Sequence, residues 1–85
     1  MFGIINDAIE NFVISAYGED VWASIKEKAH CDVPNRGWVA NEDFPDDLTF
    51  RILQVASGLL GLSTDKILEE LGNYFLYYAR YHSFP

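Results

Sequence analysis

Apolar residues in this chain recur every three or four positions, block after block, and glycine closes several of the blocks. That period belongs to helices with one buried face, and nowhere does a two-residue alternation run long enough to pair strands. In the first block Phe2, Ile5, Ile9, Phe12 and Ala16 repeat at helical spacing, with Ile4, Ala8 and Val13 beside them. Asn6, Asp7, Glu10 and Asn11 fill the opposite face, and Gly18 supplies the residue that most readily adopts a left-handed cap.

The second block carries Val21, Trp22, Ile25 and Ala29 as its stripe. Glu19 and Asp20 at its start and Lys26 and Lys28 at its end both complement a helix dipole. The third starts near Asp46 or Asp47, either able to cap free N–H groups, and turns Leu48, Ile52, Val55, Ala56, Leu59 and Leu60 inward up to Gly61. Ser63-Thr64-Asp65 announces the fourth, with Ile67, Leu68, Leu71 and Phe75 inward and Glu69, Glu70 and Asn73 wet. The spacing thus predicts helices over 2–17, 19–29, 46–60 and 64–82. Between the second and third, residues 30–45 hold Pro34, Asn35-Arg36-Gly37 and Pro45, turn chemistry without a period. Trp38 and Val39 are expected to pin that insert to the core. The fold class that follows is all-α: one compact cluster of about four helices with one long loop, in a chain of 85 residues, enough for a single domain.

The net charge of −7 opposes nucleic acid and anionic membrane as partners, since both require clustered Lys and Arg. A single cysteine, Cys31, excludes an intramolecular disulfide, and no apolar run nears the ~20 residues that span a bilayer. The start of the chain lacks the basic region of a signal peptide, so a cytoplasmic protein is expected.

Chemistry is scarce. The two histidines, His30 and His82, have no triad context, and His30-Cys31-Asp32 places adjacent side chains that do not converge on one ion. Asp46-Asp47 reads as a helix start, Glu69-Glu70 as a solvated face, and Gly58-x-x-Gly61 as a helix end rather than a phosphate loop. No catalytic residue and no metal site is expected, and the chain does not read as an enzyme. What stands out is the end. From Tyr74 to Tyr81 only Arg80 is charged, and six of the thirteen aromatic residues lie in the last twelve positions. A helix apolar nearly all round is buried on more than one face, so a ligand or a second subdomain is expected to cover it.

Met1-Phe2-Gly3-Ile4-Ile5-Asn6-x-Ala8-Ile9-Glu10, followed by Tyr17-Gly18-x-x-Val21-Trp22-x-x-Ile25-Lys26, closely resembles the opening of the H-NOX family of haem–nitric oxide/oxygen-binding domains. These include the sensor at the start of the soluble guanylate cyclase β subunit. Val55-Ala56-Ser57-x-x-Leu60-Gly61 and Ile67-Leu68-x-x-Leu71-Gly72-x-x-Phe75 resemble it at matching spacing, so the likeness covers nearly the whole chain. It implies the N-terminal helical subdomain, on the distal side of a haem held against a C-terminal α/β half. By position it implies Phe2, Ile5, Ile9, Phe75 and Ala79 as the haem-facing residues. Their implied role is a dry, apolar pocket that favours nitric oxide over oxygen, with Tyr74, Tyr77 or Tyr78 as conceivable donors.

The family's iron-ligating histidine and its Tyr-x-Ser-x-Arg propionate motif have no counterpart in this sequence. Tyr81-x-Ser83 has Pro85 where the arginine would stand, and His82 does not match the proximal ligand. Haem is therefore implied by the family, and the chain alone is not expected to bind it in the family's manner. The implied partners are the C-terminal half and an effector such as a cyclase or kinase. The competing expectation is a haem-free module that self-associates or docks a partner through the aromatic fourth helix, and a truncation without independent function is a third.

Overall fold

The computed structural model describes residues 2–39 and 41–82, with side chains throughout except at positions 75 and 77–82. Four helices follow one another: α1 (Gly3–Tyr17), α2 (Glu19–Lys28), α3 (Asp46–Leu60) and α4 (Thr64–His82). Each packs on its neighbour in the chain, and α4 closes the ring against α1. The described residues hold no strand, only a single antiparallel bridge between Phe2 and Asp43. The fold is all-α.

The helix ends show why the chain turns where it does. Gly18, at φ 98°, is the whole connection between α1 and α2, a conformation that strains any residue with a Cβ. α2 ends in a Schellman arrangement about His30, whose φ is 56°. There the Cys31 N–H donates to the Lys26 carbonyl at 2.9 Å and the His30 N–H to that of Glu27 at 3.3 Å. The segment His30–Asp32 is thus a helix stop with Cys31 turned into the core. α3 stops at Gly61 (φ 68°), and Ser63 caps α4 by accepting the Lys66 N–H at 3.1 Å. One expectation shifts: Pro45 occupies the N-cap of α3, so Asp46 and Asp47 lie inside its first turn. Carboxylates there still complement the dipole, and Asp47 accepts from Arg51 at 2.6 Å.

The core runs through all four helices, with Ile9 and Val13, Trp22 and Ile25, Ile52 and Ala56, and Ile67 and Leu71 at its centre. The long loop contributes Trp38, whose ring meets Phe44 edge to face at 5.0 Å between centroids. Several sidedness expectations are corrected. Leu53 is buried, whereas Leu59, Leu68, Ala16 and Val39 are exposed. Asn6 and Glu10, on the polar face of α1, are almost wholly buried, at 0% and 1% exposure. The loop and α3 lie across that face and supply it with hydrogen-bond partners, which hydropathy cannot foresee. In α4, Tyr74 is half-buried and Leu76 exposed. The remaining aromatic residues beyond Tyr74 lie outside the described side chains.

Candidate functional site

The first turn of α1 is set by a close backbone approach. A Cβ on Gly3 would lie 2.0 Å from the Val39 carbonyl oxygen and 2.9 Å from Cε2 of Phe44. Only glycine lets the loop come this near. The Gly3 N–H donates to the Glu42 carbonyl at 2.9 Å, beside the Phe2–Asp43 bridge. With its start fastened from one side, α1 turns Phe2 and Ile4 outward, at 58% and 53% exposure. Ile5 is half-buried against the core, and Ile9, at 2%, is enclosed by it.

Beneath this turn runs a line of buried polar contacts. The Thr49 hydroxyl donates to Asn6 Oδ1 at 2.7 Å, tying α1 to α3, while Asn6 Nδ2 has no hydrogen-bond partner among the described residues. One turn on, Glu10 accepts the Trp38 indole N–H at 3.1 Å on Oε1 and the Arg36 backbone N–H at 2.8 Å on Oε2. Arg36, at φ 61°, holds a left-handed conformation that aims that N–H at the helix.

α4 flanks α1 on the other side. The rings of Phe12 and Tyr74 meet edge to face at 5.9 Å, and the Tyr17 hydroxyl donates to Glu70 at 3.3 Å. Tyr17 pairs with the earlier α4 residue and Phe12 with the later one, so the two helices are antiparallel. At 1.5 Å of rise per residue this register sets the last turns of α4 beside the first turns of α1. Burial, and then the Glu70 carboxylate, hold the Tyr17 hydroxyl above its ordinary pKa. Glu70 is thus a half-buried acceptor rather than part of the solvated face expected of it.

Of the residues expected at the site, Phe2 is the N-cap of α1 and Ile5 lies in its first turn, half-buried against the core that holds Ile9. Phe75 and Ala79 belong to α4, but their side chains lie outside the described residues. Gly3, Asn6 and Glu10 went unforeseen as positioning groups. A glycine near the start of a helix, where none is needed as a cap, was the available signal for the first. Among the described residues no group of three or more His, Cys, Asp or Glu side chains could hold a metal ion, and no helix is long and apolar enough to cross a membrane.

A family model described as Haem-NO-binding matches residues 2–85. Two curated relatives come from Caenorhabditis elegans. Soluble guanylate cyclase gcy-34 is 30% identical over 79 residues, and soluble guanylate cyclase gcy-32 is 28% identical over the same number. Each match covers 93% of this chain and 11% of the relative, so the chain spans about a tenth of these cyclases' length.

Proposed function

The chain belongs to the haem-NO-binding family, and from that membership we propose that it forms the distal helical part of a haem-based nitric oxide/oxygen sensor. The observation that carries the reading is the match over residues 2–85, which leaves no described helix outside the family. In this reading the sensor regulates a signalling partner such as a guanylate cyclase, in the cytoplasm, and has no catalytic step of its own.

In this reading the exposed Phe2 and Ile4, with Ile5 half-buried beside them, would lie against the face of a porphyrin ring. Ile9 packs behind as support, and Phe75 and Ala79 would join from the antiparallel α4. Haem, when bound, supplies the iron with affinity for a diatomic gas. The chain's own residues supply the surroundings. Phe2, Ile4 and Ile5 carry no hydrogen-bond donor on their side chains and exclude water, so a polarised ligand gains nothing against this wall. Iron coordination is assigned to none of the described residues.

Titration of the chain with haemin, followed by Soret absorption, tests the reading. The chain alone is not expected to bind haem in the family's manner. With the C-terminal half of a haem-NO-binding domain added, a saturable change near one haem per chain is expected, weakened about tenfold by Phe2→Asp, since a charge against the ring loses its hydration. The change should survive His82→Ala. A change abolished by His82→Ala would make this a ligating rather than a distal fragment. No saturable change even with that half added would favour a haem-free interaction module built on the same helices.

A further inference from the structure

We propose that Glu10 is the positioning residue for the apolar first turn of α1, acting through the long loop rather than through its own helix. The inference rests on the functional reading above for why that turn matters, and on the geometry alone for how it is held. A carboxylate at 1% exposure, on what hydropathy marks as the wet side of an amphipathic helix, requires a reason. Its two oxygens face two donors of the loop, the Trp38 indole and the Arg36 backbone N–H. Bonds to an ionised acceptor are stronger than neutral ones, so this pair anchors the middle of a segment that has no period of its own.

From the anchor, contacts lead back to the start of α1. The Trp38 ring packs edge to face on Phe44, and Phe44 and the Val39 carbonyl press on Gly3 from the side where a Cβ would be. The Glu42 N–H donates to the Val39 carbonyl at 3.1 Å, which closes the turn whose Glu42 carbonyl then receives the Gly3 N–H. The path therefore leaves α1 at Glu10, crosses the loop, and returns two turns earlier at Gly3. Phe2 and Ile4, on either side of Gly3, take their outward directions from it. Trp38 is itself part of the core, so losing its bond to Glu10 leaves its ring packed there, while the Arg36 and Glu42 backbone, outside the core, is freed to lift from Gly3.

Site-resolved amide hydrogen exchange on the full chain tests this without any ligand. Glu10→Gln keeps the size of the side chain and removes its charge. Trp38→Phe keeps an aromatic ring beside Phe44 and removes the indole donor. Both variants should exchange about tenfold faster at Gly3 and Glu42, the effect of losing one ordinary hydrogen bond, with Ile67 in α4 changed less than about twofold. Equal acceleration at Gly3 and Ile67 would show a general loss of stability and overturn the positioning role. Unchanged exchange at Gly3 in either folded variant would overturn it too. Haemin binding is scored separately. If the unaltered chain fails to bind even with the C-terminal half of a haem-NO-binding domain added, the functional reading fails, while the exchange pattern still decides the role of Glu10.

Discussion

Two patches of α1 depart in opposite senses from what their chemistry predicts. Asn6 and Glu10, polar and facing away from the apolar stripe, are sealed beneath the loop and α3, whereas Phe2 and Ile4, apolar, stand in the open. The difference teaches that burial on a helix in so small a fold is decided by what crosses it. A segment rich in turn residues can cover a polar face if it brings donors, as Trp38 and Arg36 do for Glu10. An apolar turn is left outward where the covering segment is fastened to one side of it.

The largest expected effect that sharpens this contrast is Ile9→Ala set against Ile4→Ala on the same helix. Ile9 should cost about 3 kcal/mol, from lost burial and the cavity left behind. Ile4, more than half exposed, should stay within about 0.5 kcal/mol of the parent. Urea titrations of both variants give the comparison directly, and similar losses would show that Ile4 is covered in solution. Next is Gly3→Ala. The added carbon meets a carbonyl oxygen rather than a side chain, so the loop must move, at about 2 kcal/mol. A loss of stability below a quarter of that by urea titration would mean that the loop does not lie on α1.

The smallest effect concerns the opposite end of α1. Because the folded state raises the pKa of Tyr17, it holds the phenolic proton more tightly than the unfolded chain does. The stability so linked is complete below the ordinary tyrosine value and is lost as pH rises through the raised one. Tyr17→Phe should therefore flatten the decline of stability as pH rises above ~10, measured as urea midpoint against pH. An unchanged slope would place the alkaline loss elsewhere.

The four helices were legible because several devices agreed at each boundary. Gly18 and Gly61 sit at positive φ where the apolar period stops, and Ser63 caps α4 as its residue type suggested. The inward direction of Trp38 was legible too, a large aromatic ring in a polar insert having few other uses. Val39 was not, because its carbonyl rather than its side chain touches α1. Glu10 and Asn6 escaped for a related reason. A period records which residues share a face, and the partners here come from a distant segment without one. Of the candidate site, Phe2 and Ile5 were named from the family resemblance alone, and Gly3 needed the geometry of the loop to explain it.

The two tryptophans give this molecule a built-in pair of optical probes. Trp22 lies wholly within the helical core, its indole N–H without an acceptor among the described residues. Trp38 belongs to the loop and is buried with its indole N–H bound to a carboxylate. Indole emission moves to longer wavelength as its surroundings become more polar, so the two should differ in colour in the folded chain. Loosening of the loop would then change the redder emitter alone, and unfolding of the helices would change both. The sequence carries no further tryptophan to obscure the difference, and detachment of the loop can be timed without attaching a label.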